Sequence, residues 1–381
     1  CRLPGTDDPR RHGRCRRAMA ASAAGTAPQG PNKKPSLPMN MSSLFRIREK
    51  INHRLAQRAR VRMVDACITP IHGPAMTRLA DDQVALVIVG RDVGYFLDHH
   101  IRHHLGLGVS HVVYVDNGST DDSVAIAKRF DNVTVARCTA DFRNHQNQIR
   151  YFANTKFLKG GWRLAIDPDE LLDYPGSDRI DLPELTRRMT ARGHTALVAQ
   201  MLDMVYDGPV AETDGMDFAE AERRFDRFSL RNIAEKPYDS EFLKIILDHN
   251  RATNPDIRFL FGGLRRTAFG EQCCLTKHAL FRMERGVVPH PHPHATSGVT
   301  CTDFSALLRH YKFAGNVLAR ERKLLAENRI RHGETRLRVG RFETEDDLNL
   351  GDYAEHRDPR LDFLIQQGFL RASEAALRML A

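Results

Sequence analysis

The sequence predicts an α/β protein with a mostly parallel, doubly wound sheet flanked by helices. Three observations carry this. Residues 84–89 and 111–115 are short, β-branched apolar runs of the length expected for strands buried on both faces. Segments of helical period separate such runs. Each run also ends in a polar turn, and open α/β sheets bind their ligands at the carboxyl ends of the strands.

Taken in order, residues 84–89 form the first strand and Gly90-Arg91-Asp92 the turn after it. Residues 93–107 place Phe96, Leu97, Ile101, His104 and Leu105 at helical spacing, and Gly106-Leu107-Gly108 ends the element. Residues 111–115 form the second strand, and the turn Asp116-Asn117-Gly118 leads to a capped helix at 123–130. A third strand at 133–136 and a polar helix at 144–158 lead through Gly160-Gly161 into a fourth strand at 162–166, which ends in Asp167-Pro168-Asp169-Glu170. This β-α-β alternation implies parallel pairing with right-handed crossovers.

Beyond residue 172 the pattern loosens. A helix with Pro183 in its first turn is expected at 182–192 and a strand at 195–205. Residues 207–256 read as an irregular polar excursion, and the His-Pro alternation at 289–294 as a solvated extended loop. Residues 303–380 are mostly helical by period, giving a helical C-terminal extension. The expected divisions are a basic segment at 1–62, the α/β domain at 78–300 and the helical region at 301–381.

Composition narrows the function. The formal charge is +9, but residues 1–62 hold 15 Lys+Arg against 3 Asp+Glu, and the remaining 42 and 45 leave the body slightly acidic. A nucleic-acid reading of the whole chain therefore loses its support. Residues 1–42 are poor in apolar residues and read as disordered, either as a genuine basic tail or as an extension upstream of Met19, Met39, Met41 or Met63. Residues 44–62 read as a basic helix suited to peripheral contact with an anionic membrane. No apolar run is long enough to span a membrane, and a cytoplasmic protein is expected. The seven cysteines show neither zinc-ribbon nor paired-disulfide spacing.

The chemistry lies in the acidic turns. Carboxylates are hard oxygen donors, and Mg²⁺ or Mn²⁺ is typically held by one or two of them while substrate phosphates complete its shell. Asp167 and Asp169 suit that role, and Asp116 suits hydrogen bonding to a nucleoside. A nucleotide- or S-adenosylmethionine-dependent transferase is disfavoured because no G-x-G-x-x-G follows the first strand. A non-catalytic binding module on the same fold is the other alternative.

Asp92, the helix with His99-His100 and His103-His104, the run from Val113 to Asp121, and Trp162 through Leu172 together resemble the family-2-type glycosyltransferases. The nearest subgroup has an "RNE"-like turn and a "DxDEF"-like metal motif. The likeness continues through Gln200 to Met204, Leu275-Thr276-Lys277, His294-Ala295-Thr296 and Leu308 to Phe313. It implies a GT-A fold, a nucleoside-diphosphate sugar donor, Mn²⁺ or Mg²⁺, and a glycan or lipid-linked acceptor in surface polysaccharide synthesis. By position it makes Arg91, Asp92, Asp116 and Asn117 nucleoside contacts and Lys312 a cation for the leaving diphosphate. Asp167, Asp169 and His294 become metal ligands, with His290 and His292 weaker candidates. An inverting transfer needs a carboxylate base in the acceptor half. Glu271 is the first choice, with Asp207 and Asp203 as alternatives. The turn departs from the family at Gly90-Arg91-Asp92, which keeps a carboxylate in place of the usual Glu.

Overall fold

The computed structural model describes residues 58–244, 246–247, 249–328 and 333–381. The expectations for a disordered tail and most of the basic helix fall outside them. The described residues belong to one compact unit, residues 56–381.

Ten strands form the main sheet. They are β1 (Ile68–His72), β2 (Val84–Gly90), β3 (His111–Asp116), β4 (Val133–Cys138), β5 (Trp162–Ala165), β6 (Glu170–Asp173), β7 (Ala196–Asp203), β8 (Arg251–Ala252), β9 (Thr276–Arg282) and β10 (Thr300–His310). Their order is β1-β4-β3-β2-β5-β9-β7-β10-β8, with β6 pairing the carboxyl half of β10. β4, β3, β2 and β5 are mutually parallel. β9 runs antiparallel between β5 and β7, and β7, β10 and β8 resume the parallel direction. The expected mostly parallel α/β sheet is present.

β2 shows how the sequence builds two layers. Its side chains alternate faces. Val84, Leu86 and Ile88 pack with Phe96, Leu97 and Ile101 of helix α1 (Gly94–Gly106), whereas Ala85, Val87 and Val89 join Ile149 and Ala153 of α3 (Phe142–Thr155). The short helix α2 (Ser123–Ala127) links β3 to β4. With both faces covered, the polar residues of the central strands emerge only at their ends, and the carboxyl ends carry the acidic turns.

Three expectations change. β1 was not anticipated: its burial alternates poorly and Pro70 interrupts it, as suits an edge strand. The His-Pro alternation is no solvated loop. Residues Val288–His292 pair with Ala295–Ser297 as a hairpin, and His290 is buried with its ring edge-on to Phe281. Residues 303–310 are not helical but form most of β10, whose buried run Cys301–Leu308 lies inside the sheet. The C-terminal helices start later, with α4 (Val317–Ala326) and α5 (Glu334–Thr344). Among the described residues no helix is long and apolar enough to cross a membrane.

Candidate active-site cleft

A cleft of about 950 Å³ opens at the carboxyl edge of the parallel strands. Asp167, Pro168, Asp169 and Glu170 form one wall, and Arg150, Arg265, His294, His310, Lys312 and Arg338 contribute to its lining. The strand β5 ends at Ala165, so the turn projects from the sheet while its backbone remains anchored.

That anchoring is unusually complete. The Asp167 amide donates to Glu170 Oε2 (2.9 Å) and the Glu170 amide to the Asp167 carbonyl (3.1 Å). The Tyr311 amide donates to the Asp169 carbonyl (2.8 Å), tying the turn to the end of β10. Two histidines of α1 hold the outgoing strand. His104 Nδ1 donates to the His100 carbonyl (2.7 Å), so its Nε2 accepts from the Leu172 amide (3.2 Å), while His103 Nε2 donates to the Leu172 carbonyl (2.9 Å). This pattern requires a neutral His104, and burial beside other histidines holds its pKa well below the ordinary value.

Both oxygens of Asp167 face cations: Oδ1 accepts from Arg150 (3.0 Å) and Oδ2 from Lys277 (2.9 Å). Burial favours a protonated Asp167, but Arg150 and Lys277 outweigh it and hold the carboxyl well below the usual range. Asp169 faces His310, with Nε2 3.3 Å from Oδ2, and His310 Nδ1 stands 2.6 Å from Asp203 Oδ1. Both ring nitrogens therefore face carboxylates, which only the doubly protonated imidazolium satisfies. Burial alone would lower the His310 pKa, yet Asp169 and Asp203 raise it. Asp203 also accepts from Arg265 (2.9 Å); burial works against its ionisation, but Arg265 and His310 pull its pKa down to about 2.

His294 is neutral, its pKa depressed first by burial and then by Lys277. Its Nδ1 donates to the Thr276 carbonyl (3.2 Å), leaving the Nε2 lone pair available. A metal-binding histidine is usually oriented in this way by its other nitrogen. Lys312 has Glu321 as its carboxylate neighbour, 3.7 Å away.

The nucleoside candidates gather elsewhere. A second cleft of about 560 Å³ is lined by Arg91, Asn117, Gly118, Arg137 and Glu327 among others, and shares no lining residue with the first. Asp92 and Asp116 do not line it. Asp116 is buried and accepts from the Gly118 and Ser119 amides (3.2 and 3.1 Å), closing its own turn. Asp92 accepts from the Thr120 amide (2.6 Å) and from Lys323 (2.7 Å). Asn117 donates to the Cys138 and Ala140 carbonyls, fastening β3 to the end of β4. The β2 strand lies between β3 and β5, so the two acidic turns flank it.

None of the three expected bases, Glu271, Asp207 and Asp203, lines the large cleft. Glu271 is 1% exposed, bonded to Arg338 (2.5 Å) and 3.9 Å from Arg265. Asp207 is on the surface, paired with Arg227 and, at 3.5 Å, with Arg357. Sequence reasoning assigned no role to Arg150, Lys277 or His310. The one signal for Lys277 was a lysine placed just ahead of the apolar run at residues 279–281; for Arg150 and His310, helical and strand patterns alone offered none.

Neither a protein-family model nor a curated protein matches the chain. Among solved structures, the chain is similar to glucosyl-3-phosphoglycerate synthase from Mycobacterium tuberculosis, determined with Mn²⁺, uridine diphosphate and glucosyl-3-phosphoglycerate. The identity is 15% and the TM-score 0.22, over 32% of this chain and 44% of that one. A mycobacterial protein is similar at 17% identity and TM-score 0.23, over 38% of this chain and 48% of the other. The chain thus spans less than half of either structure, and likenesses of this grade decide nothing about activity.

Proposed function

We propose that this chain is a glycosyltransferase that moves a sugar from a nucleoside-diphosphate sugar to a hydroxyl acceptor with the help of a divalent cation. The observation that carries the reading is the acidic turn Asp167-Pro168-Asp169-Glu170, which opens from a parallel sheet into a cleft to which Arg150, Arg265, Lys312 and Arg338 also contribute. An anionic diphosphate suits Arg150, Arg265, Lys312 and Arg338, and the nucleoside end suits the smaller cleft at Arg91 and Asn117.

The donor set fits Mn²⁺ or Mg²⁺ in a limited form. Among the described residues no group of three or more His, Cys, Asp or Glu side chains is arranged to hold a metal ion. Asp169 and the free Nε2 of His294 line the same cleft, and a hard cation commonly takes only one or two protein ligands when phosphate oxygens complete its shell. Bound there, the cation would neutralise charge growing on the departing diphosphate. His310 holds Asp169 ionised, and Lys312 supplies a further positive charge for the leaving group.

The acceptor hydroxyl needs a base within the cleft. Outside the acidic turn, Glu334 at the start of α5 is the carboxylate that lines it among the described residues, and we assign it that role ahead of Glu271 and Asp207. The half-buried Phe261 and Ile246 suit the apolar face of a sugar ring or of a lipid-linked acceptor. We expect inversion and a role in surface polysaccharide synthesis. Incubation with a panel of UDP- and GDP-sugars and Mn²⁺ tests the reading: slow hydrolysis of at least one donor supports it, and inertness towards all of them overturns it.

A further inference from the structure

Lys277 is the least economical residue in the site. It lies near the start of β9, is 1% exposed, and does not line the cleft. Its ammonium has three protons, and its neighbours are Asp167 Oδ2 (2.9 Å), Glu170 Oε1 (2.7 Å) and Glu170 Oε2 (2.8 Å). All three donors are thereby spent on the acidic turn. Burial opposes its charge, but Asp167 and Glu170 keep it protonated. A buried ion pair adds little net stability over a well-packed apolar substitute, so stability alone does not account for this arrangement.

The charges suggest what does. Asp167 and Glu170 carry two negative charges, matched by Lys277 and Arg150. Asp169 and Asp203 are similarly matched by His310 and Arg265. The turn has no surplus carboxylate with which to draw in a cation, and removing Lys277 would leave one negative charge unmatched beside Asp167 and Glu170.

We propose that Lys277 is a positioning residue that withholds Asp167 and Glu170 from the metal, so that a divalent cation enters this cleft only together with a nucleoside diphosphate, on Asp169 and His294. The proposal rests on the transferase reading above. Phosphate oxygens then supply the negative charge that the protein's own pairing has removed, and free cytosolic metal does not occupy the site unproductively.

The test is Mn²⁺ binding by the full chain without nucleotide, read from the electron paramagnetic resonance of unbound Mn²⁺. Wild type is expected to show no saturable binding, whereas Lys277→Met gains affinity by at least about tenfold, the scale on which outer-shell partners tune metal sites. A merely structural lysine would not tighten metal binding when removed. Should Lys277→Met not fold, Lys277→Gln keeps a polar side chain at the position but removes the charge, leaving the same unmatched carboxylate, so it too must bind Mn²⁺ more tightly than wild type. Wild type binding Mn²⁺ alone as tightly as the variants overturns the proposal while leaving the transferase reading intact. Absence of any Mn²⁺-linked binding of UDP or GDP to wild type overturns both.

Discussion

His310 Nδ1 lies 2.6 Å from Asp203 Oδ1, and Nε2 on the opposite edge of the same ring lies 3.3 Å from Asp169 Oδ2. The imidazolium is therefore a bridge between the end of β7 and the acidic turn, and its charge is part of the structure. Its folded pKa is raised above the ordinary value of about 6.5. The stability it contributes is then fully present below pH ~6.5 and disappears as pH rises through the folded pKa. Comparing unfolding of wild type and His310→Asn between pH 6 and pH 9 should show the widest gap at pH 6, narrowing towards pH 9. A gap independent of pH would mean the ring is neutral.

Asp169→Asn should abolish sugar transfer while leaving the fold intact. The side chain is at the cleft wall rather than in the packed core, and His310, its cationic partner, keeps the closer Asp203 when the Asp169 charge is removed. Loss of one preorganised electrostatic partner typically reduces kcat by ~10²-fold or more. Rate measurements beside a thermal unfolding curve separate the possibilities: an unfolded variant would make Asp169 a structural residue.

Glu271→Ala should act oppositely. Its carboxylate faces Arg338, which keeps Glu321 at 3.0 Å as its other partner. Removing one member of a buried pair costs about 3 kcal/mol, at the lower end because that second partner remains. Chemical denaturation is expected to show this loss. A variant of undiminished stability with no transfer activity would restore Glu271 as the base.

Gly161 tests how the chain delivers the acidic turn. Its φ is +60°, and a Cβ there would come within 2.5 Å of Leu79 Cβ and 2.7 Å of the Gln83 carbonyl. Gly161→Ala should therefore cost more than the roughly 1–2 kcal/mol that an L-residue pays for left-handed backbone alone, because the entry to β5 must shift. Urea unfolding measures the loss, and an unchanged midpoint would show that the approach can relax.

The central sheet was legible because its strands are buried on both faces, and an uninterrupted run such as residues 84–89 has few other solutions. The acidic turn was legible because polar residues abruptly end such a run. β10 was missed since its Ser, Thr and Asp residues, buried by neighbours distant in sequence, break the apolar run. The His-Pro segment was misread for a related reason: pairing with residues 295–297 supplies burial that proline spacing does not announce. The partners of the carboxylates were hidden most thoroughly. Lys277 meets Asp167 across 110 positions and His310 meets Asp203 across 107, and no local pattern encodes either contact.

Thermal unfolding of the full chain with UDP or GDP, with and without Mn²⁺, tests the central claim most directly. A ligand at a hundredfold excess over its Kd stabilises a protein by about 2.7 kcal/mol. The account predicts that one nucleoside diphosphate raises the Tm by several degrees when Mn²⁺ is present and by much less when it is absent. No metal-linked shift with either nucleotide would contradict it.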